Sequence, residues 1–324
     1  MSMLLPALIA AVVSGIALRL LGRTGGLPFD RPNARSLHRD IVPRGGGLAI
    51  WLGWCAGVAW LPGPQPWLFP LLAIIIVSFF DDRRGIPALP RLFVQVAAAL
   101  AWLWLAAPMP DLIVAATMAV AIVWVANLYN FMDGSDGLAG TMTVVGFGTY
   151  ALAAFWAGSD RAPIFLALAA ATLPFLLANW PPARIFMGDA GSVPLGFLAA
   201  VFGIEGWRQG SWPLWFPLLV FLPFIADASS TLLRRLLRGE RVWQAHRDHS
   251  YQRLVQLGLG HAGTLALYAA LMMGAGVSAL AALARAPQAG WYLLAAWVAV
   301  LMLLFSSVAH QWRTRIGGLR DSKR

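Results

Sequence analysis

Apolar runs long enough to cross a lipid bilayer as helices recur along the whole chain, each ended by a short polar segment. A helix needs about 20 apolar residues to span the hydrocarbon. Runs near 3–21, 45–62, 66–80, 91–107, 111–128, 138–157, 162–178, 191–207, 212–230, 262–284 and 290–309 predict about eleven transmembrane helices. The third run is short, and only Trp207 to Ser211 part the eighth from the ninth. No internal repeat and no low-complexity linker interrupts the series. The expected fold class is all-α: a polytopic integral membrane protein, one domain over residues 1–324, with cytoplasmic loops that carry its chemistry.

Composition agrees with that pattern. The 324 residues are 59% hydrophobic and only 12% charged, with mean hydropathy +0.69, outside the range of an ordinary soluble domain. The first run has no basic segment before it and no small-residue cleavage site, so it reads as a span rather than a removed signal peptide. Cys55 is the only cysteine, which excludes a disulfide within the chain and a multi-cysteine metal site.

The net charge of +10 would suggest nucleic acid in a soluble protein, but its distribution points elsewhere, and no nucleic-acid partner is expected. With eleven crossings, alternate connections share a side. One side receives every Lys and Arg except Arg161, Arg208 and Arg285. The positive-inside rule makes that side cytoplasmic, leaving the N-terminus in the periplasm and the basic C-terminal tail inside. Of fourteen carboxylates, all but Asp111, Asp160 and Glu205 fall on the same cytoplasmic side. Cations alone suffice to orient the chain. Acids beside hydrocarbon are costly and mark a site.

Five cytoplasmic segments hold residues capable of chemistry. The first runs from Asp30 past Arg35 and His38 to Arg44, Gly45, Gly46 and Gly47. Backbone N–H groups at its glycines could meet a phosphate or a base at a helix N-terminus; a basic anchor with a flexible turn fits the same residues. Asp81 and Asp82 end the third run, where adjacent acids raise one pKa and can share a metal or a proton, or simply cap a helix. Asn127, Asn130, Asp133 and Asp136 gather within ten residues after the fifth run. Gly134 and Gly137 mark a broken helix end there, and plain capping explains one acid, not two acids and two amides. Asp189, downstream of Asn179 and Arg184 and ahead of a new span, suits Mg²⁺ as a hard oxygen ligand and suits an N-cap equally. His246, Arg247 and His249 are suited to phosphate contacts; a zinc pair drawn from the two histidines would need carboxylates for its other ligands. Acids and amides for magnesium, cations for phosphates and glycines for close approach are the parts of phosphoryl transfer. The chain has no Gly-x-Ser-x-Gly motif and no P-loop.

In order and on one membrane side, five motifs span nearly the whole chain: Pro43-Arg-Gly-Gly46, Asp81-Asp82, Asn127 to Gly137, Phe186-Met-Gly-Asp189-Ala-Gly-Ser192 and His246-Arg-Asp-His249. The set resembles the polyprenyl-phosphate N-acetylhexosamine-1-phosphate transferases, glycosyltransferase family 4. With Tyr251-Gln252 following, the last motif is closer to the branch that starts O-antigen-type chains than to the lipid I synthases, which carry a run of histidines there. The resemblance implies transfer of N-acetylhexosamine 1-phosphate from UDP-N-acetylhexosamine to undecaprenyl phosphate at the bacterial inner membrane, with release of UMP. It implies Asp189 as the main Mg²⁺ ligand, Asn130 as a second, and Mn²⁺ as a substitute metal. Asp81 and Asp82 match the acid pair, one of which deprotonates or orients the lipid phosphate. Asp136 and Asn179 match positions that hold the nucleoside, and His246, Arg247 and His249 the loop that grips sugar and diphosphate. Asn127, Asp133, Arg184, Arg44, Gly45 and Gly46 are the further substrate contacts expected. The family's lysine just after the acid pair is missing here, with Arg83 and Arg84 as expected substitutes. Membrane lipids surround the expected fold, and pairing into a homodimer through apolar faces is a further expectation.

Two other classes compete. A transporter of an anionic substrate would place ionisable groups and broken helices near the bilayer midplane, whereas these spans are nearly free of them. A phosphatidyltransferase acting on CDP-alcohols needs a longer Asp pattern than follows Asp136-Gly-Leu-Ala-Gly140.

Overall fold

The computed structural model describes residues 3–23, 27–30, 32, 37, 40–63, 65–106, 111–241 and 246–321; Arg35 and His38 lie outside them. The described residues form α1 (Leu4–Arg23), α2 (Gly46–Val58), α3 (Leu68–Arg84), α4 (Ala88–Leu105), α5 (Leu112–Phe131), α6 (Leu138–Trp156) and α7 (Ala162–Asn179). They continue through α8 (Asp189–Arg208), α9 (Trp215–Val220), α10 (Leu222–Leu237), α11 (Ser250–Leu254), α12 (Gly260–Arg285) and α13 (Gly290–Asp321). The only sheet among them is a two-residue antiparallel pair that sets Phe29 opposite Pro43 and Asp30 opposite Val42.

Each of the eleven predicted runs is helical, and eight helical stretches are long and apolar enough to cross a membrane. The protein is a multi-pass, all-α membrane protein. The other three runs make shorter elements. Helix α2 has 13 residues, α3 has 17 and ends in four charged ones, and the run at 212–230 breaks at Phe221. Pro223, in the first turn of α10, has no N–H with which to continue α9.

Helix α1 shows how the exterior is built. Leu4, Leu8, Val12, Ile16 and Leu20 are exposed at four-residue spacing, while Ala10, Ser14 and Ala17 are buried on the other face. Lipid tails are as apolar as leucine, so large residues face outward and small ones set the helix contacts. At Gly53 a Cβ would come 2.4 Å from the Ala10 carbonyl oxygen, and at Gly57 2.5 Å from that of Pro6. Helix α8 is the central post: 89% of its apolar window is buried, against 17% for α13. It packs on α3 and α5 and runs opposite to both, so its first residue, Asp189, meets their last turns.

Candidate active site

Gly188 precedes α8 in a conformation of φ 80° and offers no side chain to the helix, leaving the first N–H groups of α8 without an internal partner. Asp82, from the last turn of α3, supplies one. Its Oδ1 accepts from the Asp189 N–H at 2.9 Å and its Oδ2 from the Ala190 N–H at 3.0 Å. Arg44 then joins the two acids, with Nε 3.1 Å from Asp82 and Nη2 2.8 Å from Asp189. Asn130, near the end of α5, donates from Nδ2 to Asp189 Oδ1 at 3.1 Å and to Ser192 Oγ at 2.9 Å.

Asp81 faces a different way. Its Oδ1 accepts from the Ile86 N–H at 2.6 Å, and Arg91 bridges its Oδ2 (2.5 Å) to Asp189 Oδ2 (3.3 Å). Arg91 thus holds the Asp81 and Asp189 carboxylates side by side, an arrangement in which two carboxylates can share a proton or a cation. Burial raises the Asp81 pKa, the Ile86 N–H opposes it, and Asp189 raises it further. Burial also pushes Asp82 up to about 6, with Arg44 pulling down and Asp189 pushing up. Asp133 is held well above the carboxylate range by burial, against Arg44 and with the charges of Asp189, Asp82 and Asp30 adding to the effect.

Three expectations change on contact with the geometry. The N–H groups of Gly45 and Gly46 donate to the Phe186 carbonyl at 3.0 and 2.9 Å, so they hold a loop rather than present themselves to a phosphate. Glycine is needed there for close packing: a Cβ on Gly46 would lie 2.4 Å from the Phe175 ring, and one on Gly47 2.3 Å from Gly191. Asn179 is buried with both ends of its amide on backbone, accepting from the Gly137 N–H at 2.8 Å and donating to the Ile185 carbonyl at 2.7 Å. Asp136 braces the same loop, accepting from the Ala183 N–H at 3.0 Å. Both residues therefore brace neighbouring backbone, Asn179 through both ends of its amide and Asp136 through Oδ2. Arg83 and Arg84 lie over the rings of Phe79 and Phe80, and Arg91 takes the place beside the acid pair.

The remaining expected residues divide between the centre and its rim. Asn127 donates to Gln95 Oε1 at 2.6 Å and lines a slot with Asp81, Arg91, Asn130 and Asp189. Arg184 is exposed on the α7–α8 loop. The rings of His246 and His249 lie 4.8 Å apart, and His249 stacks on Phe131, one residue beyond Asn130. Arg247 is exposed next to them. Burial lowers the pKa of His246, with Arg235 adding to it. Against burial, which acts the other way, hydrogen bonds from Arg253 and Arg235 hold Asp248 below its ordinary value.

Arg91 and His261 also belong to the site. Arg91 heads an apolar run with no motif around it, and its proximity to the acids appears only when α3 and α4 fold back on each other. His261 Nδ1 lies 3.0 Å from Ser135 Oγ and 3.4 Å from Asp136 Oδ1, across 126 and 125 residues of chain.

A divalent metal fits part of this centre. Among the described residues no three His, Cys, Asp or Glu side chains are grouped to hold an ion alone, because Arg44 and Arg91 fill the gaps between the carboxylates. Mg²⁺ keeps several waters and takes one or two carboxylates plus substrate phosphates, so it needs no such cage. Asp189 and Asp81, both held by Arg91, offer hard oxygens of that kind, and Asn130, which aims Nδ2 at Asp189 here, would present its amide oxygen to a metal once the amide turns.

Residues 65–206, which include Asp81, Asp82, Asn130 and Asp189, match the family model described as glycosyl transferase family 4. The chain is 28% identical over 279 residues to a probable undecaprenyl-phosphate N-acetylglucosaminyl 1-phosphate transferase of Bacillus subtilis (strain 168), covering 77% of this chain and 75% of that protein. It is 26% identical over 316 residues to the undecaprenyl-phosphate alpha-N-acetylglucosaminyl 1-phosphate transferase of Yersinia pestis, covering 88% and 85%. It is 28% identical over 311 residues to the decaprenyl-phosphate N-acetylglucosaminephosphotransferase of Mycobacterium tuberculosis (strain ATCC 25618 / H37Rv), covering 79% and 75%. With the acid pair of α3, the amides of α5 and the N-terminus of α8 gathered at one centre, the chain is similar to glycosyl transferase family 4 over residues 65–206 and to polyprenyl-phosphate N-acetylglucosamine-1-phosphate transferases over most of its length.

Proposed function

We propose that the protein transfers N-acetylhexosamine 1-phosphate from UDP-N-acetylhexosamine to undecaprenyl phosphate at the cytoplasmic face of the bacterial inner membrane. The product, an undecaprenyl diphosphate-linked sugar, starts an O-antigen-type or related cell-envelope polysaccharide. One observation carries this reading. The slot between α3, α4, α5 and α8 is charged at one end, at Asp81, Arg91 and Asp189, and runs inward past the uncharged Ser78, Gln95 and Asn127 to Ile74, Val77 and Val193. At 1.5 Å per helical residue, Ile74 sits about 10 Å deeper than Asp81. The charged end suits an anionic head group, and a hydrocarbon tail attached to it would extend into the surrounding bilayer. The relatives named for undecaprenyl phosphate and decaprenyl phosphate support the acceptor class.

In this reading Arg91 receives the acceptor phosphate beside Asp81. A phosphomonoester keeps its second proton to a pKa of about 6, and Asp81, with its own pKa raised, is suited to take that proton. An acceptor oxygen then attacks the sugar-bearing phosphorus of the donor. The new P–O bond forms, the bond to the bridging oxygen breaks, and UMP leaves with the electron pair. Mg²⁺, or Mn²⁺ in its place, held by Asp189 and Asn130, would neutralise the donor diphosphate and improve UMP as a leaving group. Asp82 positions rather than reacts, since its oxygens are engaged by α8 and Arg44. His246 and Arg247 lie where the donor's sugar and diphosphate would pass, beside the end of α5. Attack is direct, with no sugar-phosphate carried on the protein.

The test uses the purified full chain with undecaprenyl phosphate, Mg²⁺ and a panel of UDP-sugars, and follows UMP. Release that requires both the lipid and an N-acetylated UDP-hexosamine is the expected result. No UMP from any donor would overturn the reading, and a sugar-phosphate trapped on Asp81 without lipid would replace direct attack by a two-step route.

A further inference from the structure

Asp227, on α10, lies outside the motifs of the proposed reaction, yet its carboxylate is completely buried and surrounded by donors. The N–H of Ser250 reaches Oδ1 at 2.7 Å and that of Tyr251 reaches Oδ2 at 3.0 Å. The Tyr268 hydroxyl donates to Oδ2 at 2.5 Å, and the Thr231 hydroxyl to Oδ1 at 3.3 Å. Ser250 and Tyr251 head α11, where backbone N–H groups have no partner within the helix. Capping oxygens ordinarily come from the residue that starts the helix. Here one comes from a separate helix, 23 residues upstream. The turn so fixed continues directly from His246–His249. It is fastened in turn to α5, because the Tyr251 hydroxyl donates to the Phe131 carbonyl at 2.9 Å beside Asn130.

We propose that Asp227 is a positioning residue for donor recognition: by capping α11 from α10 it locks the His246–His249 segment against the end of α5. This rests on the donor role given to that segment above. Asp227→Asn replaces one accepting oxygen with an NH₂ that faces donors, so one of the two capping contacts and the negative charge are lost while the volume is kept.

The full chain is measured in lipid nanodiscs, with UDP-N-acetylglucosamine and undecaprenyl phosphate as substrates. In Asp227→Asn the KM for the nucleotide sugar rises about tenfold, the scale of one charge-assisted hydrogen bond. The KM for the lipid stays within twofold, and backbone amides of 250–253 exchange hydrogen faster while those of 189–195 do not. Tyr268→Phe removes one of the four donors but leaves the cap, so it lowers stability with the donor KM within twofold. Asp227→Glu, which keeps the charge, recovers part of the donor affinity and carries the comparison with Tyr268→Phe if Asp227→Asn does not fold. The proposal is overturned if the Asp227 and Tyr268 variants lower stability alike with donor KM unchanged, or if amides 250–253 stay as protected as in the wild type. A wild-type protein that releases no UMP refutes the transferase reading instead, and the exchange measurement still decides the cap.

Discussion

The histidine loop makes a pH prediction with a definite sign. His249 is 3% exposed, and its Nδ1 has no hydrogen-bond partner among the described residues. Burial depresses its pKa from 6.5 to about 4; the Asp227 and Asp248 charges resist, and His246 and Arg234 reinforce the fall. Above pH 6.5 the ring is neutral in folded and unfolded chains alike, and its contribution to stability is fully present. Between 6.5 and 4 the unfolded chain binds a proton that the native site refuses, so stability falls as pH falls. At roughly 1.4 kcal/mol per pH unit, the full loss is about 3 kcal/mol, some two orders of magnitude in the unfolding equilibrium. The ring is too buried for solvent to screen this away. Denaturant unfolding in detergent between pH 7.5 and 4.5, on wild type and His249→Gln, isolates the effect, since titrating carboxylates contribute equally to both. The wild type should lose roughly 3 kcal/mol more than the variant over that window. Parallel curves would refute the argument that a desolvated, neutral His249 is part of the folded loop.

Three further outcomes follow from the acid centre. Asp189→Ala should abolish UMP release, and chelating divalent metal should do the same to the wild type with Mg²⁺ or Mn²⁺ restoring it; near-normal turnover in either case removes Asp189 from the metal site. Arg91→Lys keeps the charge but not the guanidinium that spans Asp81 and Asp189, so the KM for undecaprenyl phosphate should rise about tenfold, the scale of one lost charged contact. Asp82→Asn should cost about 1–2 kcal/mol of stability, the value of an N-cap. It should also lower kcat on the order of tenfold to a hundredfold, because Asp189 loses its fixed position; kcat unchanged in a folded variant would show that the cap is dispensable.

Much of the fold was legible because a membrane imposes it. Apolar runs had to become helices to satisfy their backbone without water, and all eleven did. What could not be read was where they stop and break, as at Phe221, since Pro223 is an ordinary residue in a long apolar string. At the site, types of residue were legible and their tasks were not. Asn130 and Asp189 stand out by composition, and they meet. Gly45, Gly46, Asn179 and Asp136 stand out equally, yet their polar groups hold the backbone of neighbouring loops, which only distances across more than 40 residues disclose. Arg91 and His261 had no pattern around them at all; both enter the site through helix pairing.

The adjacent acids on α3 take a physical meaning from this contrast. Successive residues on a helix point about 100° apart, so Asp81 and Asp82 approach Asp189 differently, one beside its carboxylate and the other at its backbone N–H. Asp82 points at α8 and spends both oxygens on its N-terminus and on Arg44, with a side chain only 2% exposed. Asp81 points into the slot and remains within reach of a ligand. The glycine-led helix α8 needs a cap that Gly188 lacks, and Asp82 supplies it from the neighbouring span while Asp81 stays turned to the slot. The same device recurs where Asp227 caps α11 from α10. In both places a carboxylate from one helix anchors the start of another. The segments that start at Asp189 and Ser250 are thereby tied to neighbouring helices of the bundle.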